Sequence, residues 1–273
     1  MKRGVHAAVL TPVTADCKPD APRAVAYYES LLARGCDGVT ILGTTGEAMS
    51  FSVEQRVRFM EAVADALPGE CVTCGTGAAA LADAVALAQV AHDLGFAAAL
   101  VMPPFFYRDS TDEGVVSFFD ALLRRLAAPS KRVLLYNFPR MSGVAFHAPL
   151  VGRLLHEFPG AIAGIKDSAN DRDLQRRLAG EHDGFFVFGG SERDLADALA
   201  HGGAGCISAS VCLWPELAAE VFRSQDVGKG ADLTRRREAL GTGNLIPFLR
   251  REVARATADE NWRRAMPPLT GWE

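Results

Sequence analysis

Short apolar runs alternate with longer amphipathic stretches along most of the 273-residue chain. The short runs are "GVHAAVL" (4–10), "GVTILGT" (38–44), "CVTCGTG" (71–77), "AAALVMP" (97–103), "RVLLYNF" (132–138), "IAGIKDS" (162–168), "GFFVFGG" (184–190) and "GAGCISAS" (203–210). They are apolar throughout rather than alternating, as expected of parallel strands buried on both faces. Between them the apolar positions recur with helical spacing, predicting helices over 22–34, 52–67, 79–94, 111–127, 148–157, 171–180 and 192–201, and one starting near Pro215. Eight strand–helix units in series fit a closed (β/α)8 TIM barrel better than an open doubly wound sheet. We expect residues 1–225 to form that barrel. Residues 226–273 then form a short C-terminal helical extension, Arg-rich over 229–258 and ending in the irregular "AMPPLTGWE".

Composition narrows the function. With 49% hydrophobic and 23% charged residues the chain is globular. A net charge of -4 argues against nucleic acid or an anionic membrane as main partner. No apolar run approaches the roughly 18 residues of a spanning helix, and "MKRGVHAAVLTP" reads as a first strand rather than a signal segment. Six cysteines (17, 36, 71, 74, 206 and 212) show no framework spacing, and on a strand Cys71 and Cys74 point to opposite faces. Reduced thiols and a cytoplasmic location are expected, with no metal site.

In such barrels chemistry sits at the C-terminal ends of the strands. That rim carries "GTTGE" (43–47), "GTG" (75–77), "PPFFYR" (103–108), "YNFPR" (136–140), Lys166 with Asp167, "GGSE" (189–192) and "ISAS" (207–210). Only five of the 29 basic residues are Lys, so surface charge is normally written as Arg. A Lys closing a buried strand is then a candidate for its amine. Lys166 shares a face with Ile162 and Gly164 and points into the mouth. Tyr136 ends the neighbouring strand about 4.8 Å away. Burial favours the neutral amine, which attacks a ketone to give a Schiff base; the iminium then accepts electrons from a breaking carbon–carbon bond. The alternative is a strand-end cation paired with Asp167 or Glu192. Tyr136 would move protons through a hydroxyl relay, or be an ordinary barrel-end aromatic. "GTTGE" offers hydroxyls and backbone N–H groups suited to a carboxylate, or simply a turn with Ser50 and Ser52 as caps of the next helix.

"GTTGE", "YNFP", "GIKDS" and "GGSE…GGAGCIS" occur in the order and spacing of the dihydrodipicolinate synthase / N-acetylneuraminate lyase family, which the chain resembles from "AAVLTPVT" to its last strand. Members are pyruvate-dependent class I aldolases on a (β/α)8 barrel. The resemblance implies Lys166 as Schiff-base lysine and Tyr136 as proton shuttle. Thr44 and Thr45 would bind the pyruvate carboxylate and relay protons, with backbone around Gly190 and Ile207 lining the pocket. It also implies a homotetramer or homodimer and no cofactor beyond the covalent bond to substrate.

Three departures bear on the substrate. The lysine-pathway synthase reads Y-N-x-P-x-R-T, and its Arg holds the second substrate's carboxylate. Here Met141 takes that position and Arg140 comes one residue early. Its Tyr-Tyr pair becomes Phe105–Phe106 when anchored on Pro104, or includes Tyr107 when anchored on Glu113-Gly114. Ser191, Glu192 and Ser208 stand where lyases of polyhydroxy acids bind substrate hydroxyls, although Glu192 also suits a helix N-terminus. The expectation is a lyase joining or separating pyruvate and an aldehyde, acting on a 2-keto-3-deoxy sugar acid or related hydroxylated 2-oxo acid. Alternatives are 4-hydroxy-tetrahydrodipicolinate synthase and a Schiff-base dehydratase of the same family. Outside that chemistry stand a phosphate-binding barrel isomerase, through "GGSE" and "HGGAG", and a non-catalytic ligand sensor.

Overall fold

In the computed structural model, which describes residues 1–127, 132–241 and 243–269, eight parallel strands close in sequence order into one barrel. They are β1 (Gly4–Ala8), β2 (Gly38–Ile41), β3 (Val72–Gly75), β4 (Ala98–Val101), β5 (Val133–Asn137), β6 (Ile162–Asp167), β7 (Phe186–Gly189) and β8 (Gly205–Ser208). Closure is made by β8 pairing back onto β1, with Val5 opposite Cys206. The chain has the fold expected of it, a (β/α)8 TIM barrel followed by C-terminal helices.

The surrounding helices are α1 (Ala21–Ala33), α2 (Val53–Ala64), α3 (Leu81–Asp93), α4 (Asp112–Arg125), α5 (Pro139–Ser142), α6 (Ala148–Glu157), α7 (Arg172–Glu181), α8 (Leu195–Ala200) and α9 (Pro215–Ser224). Their starts follow from side-chain caps that satisfy the first free N–H groups. Ser52 accepts from Gln55 N at 3.2 Å while the Gln55 side chain accepts from Ser52 N at 3.0 Å, a reciprocal capping box. Asp20, Thr111, His147 and Asp171 cap α1, α4, α6 and α7 by accepting from backbone N–H groups in the first turn, without the reciprocal bond.

Strand alternation sorts the core into two parts. Val5, Ala7, Ile165, Val187 and Cys206 face the helices and join the large outer core. Ala8, Leu100, Leu134, Tyr136, Phe188 and Ile207 fill the barrel itself. Glycine makes two strand contacts possible. A Cβ on Gly75 or Gly164 would overlap the carbonyl of Leu42 or Phe186 on the adjacent segment.

The Arg-rich stretch is helical and is made of α10 (Val227–Ala239) and α11 (Ile246–Thr257). Gly241, at φ +68, takes the left-handed position that ends α10. Residues 270–273 of the expected irregular tail lie outside the described residues. The helix at 139–142, entered at Pro139 and closed by Gly143 at φ +73, was not anticipated. No helix among the described residues is long and apolar enough to cross a membrane.

Candidate active site

Lys166 and Tyr136 are register partners on β6 and β5. Both side chains point into the barrel, and each residue is only 5% exposed. The Lys166 Nζ lies 4.5 Å from the centre of the Tyr136 ring, within cation–π range. The Tyr136 hydroxyl in turn forms a 3.2 Å hydrogen bond with Thr44 Oγ1 from the turn after β2. An amine, a phenol and a hydroxyl thus form one chain across three strands, with Thr45 half-buried beside them in the same turn.

The two carboxylates that could have neutralised Lys166 are engaged elsewhere. Asp167 Oδ1 accepts from Asn137 Nδ2 at 2.8 Å and from Ala169 N at 3.0 Å. Its Oδ2 accepts from Gln175 Nε2 at 2.7 Å and Asp171 N at 2.9 Å. Burial nevertheless outweighs these donors and pushes the Asp167 carboxyl above its ordinary range. Asn137 also accepts from Phe146 N at 3.0 Å. The Asn137–Asp167 pair therefore ties β5 to β6 immediately beyond Tyr136 and Lys166, fixing the relative height of the two.

Glu192 is equally committed. Its Oε2 accepts from Ser208 at 2.5 Å and its Oε1 from the Trp214 indole at 3.2 Å. Ser208 lies on the face of β8 shared with Cys206, the helix side, whereas Ile207 faces the barrel. Ser191 Oγ accepts from Arg193 N at 3.2 Å, capping the turn Glu192–Asp194. Gly190 donates its N–H to Asp167 O at 2.7 Å, and a Cβ there would come within 2.6 Å of Ser168 Cα. The segment after β7 is thus pressed against the residue following Lys166 and Asp167.

The remaining candidates lie outside this cluster. Arg140 is exposed on α5, with Met141 43% exposed beside it. Phe106 and Tyr107 are 75% and 77% exposed and stack edge-to-face on each other, ring centres 5.3 Å apart. Both alignments of that segment therefore put an aromatic at the surface rather than against Lys166.

Sequence reasoning did not identify Asn137, Gln175, Trp214 or Arg250. Asn137 carried a signal: it follows Tyr136 as Asp167 follows Lys166, so strand pairing alone brings the two together. Arg250 carried none, because it meets Glu47 from 203 residues away.

Comparison with known proteins bears on the chain as a whole. The model of the dihydrodipicolinate synthetase family matches residues 1–242. An uncharacterized DapA-like lyase of Chloroflexus aurantiacus is 39% identical over 221 residues, covering 81% of this chain and 74% of its own. A 4-hydroxy-tetrahydrodipicolinate synthase of Mesorhizobium japonicum is 32% identical over 223 residues, with the same coverage, 81% and 74%. The crystal structure of dihydrodipicolinate synthase from Agrobacterium tumefaciens superposes with a TM-score of 0.91 at 28% identity, covering 100% of this chain and 94% of that one. A barrel whose mouth holds a buried lysine against a tyrosine, in a chain so related, belongs to the dihydrodipicolinate synthetase family of lyases.

Proposed function

We propose that this lyase is a pyruvate-dependent class I aldolase acting on a 2-keto-3-deoxy sugar acid or a similar hydroxylated 2-oxo acid. The observation that carries the proposal is the buried Lys166 Nζ set over Tyr136 while Asp167 and Glu192 are engaged with other partners. Such an amine is placed to act as a nucleophile rather than as a structural cation.

In the cleavage direction, the Lys166 amine adds to the C2 ketone and water leaves, giving a protonated imine. As the C3–C4 bond breaks, the C4 hydroxyl proton leaves through the Tyr136–Thr44 hydroxyl relay, which afterwards returns a proton to C3. The aldehyde departs, and the electron pair moves into an enamine. The enamine is protonated at C3 and the imine hydrolysed, which releases pyruvate and restores the amine. Thr44 and Thr45 receive the 2-oxo acid carboxylate at the turn after β2. Gly190 and Ile207 border the same mouth. The chemistry needs no metal or organic cofactor.

Substrate choice rests on the rim after β5. Met141 stands where the lysine-pathway synthase carries its carboxylate-binding arginine, and Arg140 is exposed. Arg140, exposed on that same rim, would meet the far end of the substrate, whereas Glu192 and Ser208 are already paired with each other. The second reading is 4-hydroxy-tetrahydrodipicolinate synthase, favoured by relatives of that name. A panel of 2-keto-3-deoxy acids, with pyruvate release followed through lactate dehydrogenase, separates the two. Turnover of a sugar acid supports the proposal; condensation of pyruvate with aspartate semialdehyde and no cleavage of any sugar acid refutes it. Loss of a hydroxyl without pyruvate release would identify a dehydratase.

The same reading places the enzyme in the cytoplasm as a homotetramer or homodimer. Free cysteines fit a reducing compartment. Met49, Phe106, Tyr107 and Met141 are exposed on segments following β2, β4 and β5, and so share one end of the barrel that a second copy would cover.

A further inference from the structure

We propose that α11 completes the substrate site: Arg250 is a positioning residue that, through Glu47, holds the Thr44–Thr45 turn in the shape that receives a carboxylate. The inference rests on the aldolase reading and assigns a role to a helix outside the barrel.

The turn is an unusual piece of backbone. Leu42 and Glu47 bracket "GTTG" and both sit in the left-handed region, at φ +50 and +53. Neither residue type adopts that conformation readily, so the surroundings must impose it. The turn closes on itself through Glu47 N to Thr44 O at 3.1 Å. Whatever fixes Glu47 therefore fixes the backbone of Thr44, whose hydroxyl meets Tyr136.

Arg250 and the segment after it provide that fixing. The side chains of Arg250 and Glu47 are 2% and 0% exposed and form an ion pair. Glu47 Oε1 accepts from Arg250 Nε at 2.8 Å and also from its NH2 group, while Oε2 accepts from Met266 N at 2.8 Å. The other guanidinium donors reach Thr11 O at 2.9 Å and Trp262 O at 3.2 Å. One planar fork thus joins the segment after β1, the turn after β2 and the chain beyond α11. An ammonium, a single point charge on a flexible stem, cannot reproduce those directions together.

Stability alone is a poor explanation for such a pair. Buried ion pairs are often replaceable by apolar residues with no loss of stability, whereas removing one partner strands the other's charge. A stranded Glu47 would also place an uncompensated anion directly behind the turn that binds the substrate's carboxylate. The pair is suited to hold geometry and to keep that anion neutralised.

The test is borohydride trapping of pyruvate on the full chain, measured against pyruvate concentration by intact mass. Arg250→Met should raise the half-saturating pyruvate concentration roughly ten- to a hundredfold, the loss of about one hydrogen bond to a carboxylate. The limiting trapping rate should stay within about threefold, because Lys166 and Tyr136 are untouched. Arg250→Lys should fall between the two. If Arg250→Met does not fold, Arg250→Met/Glu47→Gln, which leaves no stranded charge, decides the matter and should still show raised half-saturation. A folded double variant with wild-type half-saturation overturns the proposal, and so does a fall in limiting rate alone. Absence of trapping in the wild-type protein overturns the aldolase reading first and this proposal with it.

Discussion

Tyr136→Phe removes one oxygen and leaves the rest of the candidate site in place. The ring still lies 4.5 Å below Lys166 Nζ and still packs against Phe138, ring centres 5.8 Å apart. What is lost is the 3.2 Å hydrogen bond to Thr44 Oγ1. A neutral hydrogen bond contributes about 1 kcal/mol net, so the melting temperature should fall by only about 2–4 °C. A positioned proton carrier, by contrast, contributes roughly a hundred- to ten-thousandfold in rate, or about 3–5 kcal/mol of barrier. Rate and stability therefore separate by more than the error of either. The assay is exchange of the pyruvate methyl protons in D2O, followed by proton NMR, because enamine formation moves those protons and requires no knowledge of the aldehyde. Exchange should slow by at least about a hundredfold in a protein that melts almost normally. An exchange rate within about tenfold of wild type would refute the shuttle assignment, since no essential proton carrier is removed at so small a loss.

Gly190→Ala should be far more damaging than its size suggests, because its Cβ would lie 2.6 Å from Ser168 Cα and 2.8 Å from Asp167 O. Forcing it in costs about 1–3 kcal/mol and displaces the chain just after Lys166, so pyruvate trapping and melting temperature should both fall; unchanged trapping would contradict the close approach. Another prediction concerns acid. Arg23 and the Asn261 N–H hold the Asp259 carboxyl at about 2 instead of 3.8. Its folded value lies below its unfolded one, so the stability it contributes is present above pH 3.8 and is lost as pH falls toward about 2. Asp259→Asn should flatten that part of the acid limb in urea titrations at stepped pH, and an identical limb would rule the contact out.

The barrel was legible because its signal is repeated eight times. Each strand is a short apolar run, each helix has its own spacing, and sequence order equals spatial order in a closed parallel barrel. That same regularity made Lys166 and Tyr136 legible as neighbours on one face, since period-2 alternation and adjacent strands leave no other arrangement. Glu192 and Ser208 were harder. Their position on the rim was readable, but not that Ser208 falls on the helix side and that the Trp214 indole closes the pair. The 229–258 stretch was legible as helical from its Arg-rich composition, but the break at Gly241 depends on a single backbone conformation. The Arg250–Glu47 pair lay beyond reach altogether. No local pattern announces a contact between an Arg in a terminal helix and a Glu after β2, and only the closed fold brings them together.

The most direct test of the account is to incubate the protein with pyruvate and borohydride, measure its intact mass and map the modified peptide. The account predicts a gain of roughly 72 Da, one reduced pyruvyl group, on the peptide that holds Lys166 and none in Lys166→Ala. An unchanged wild-type mass, under conditions that label a known class I aldolase, would contradict it and return Lys166 to the role of a structural cation.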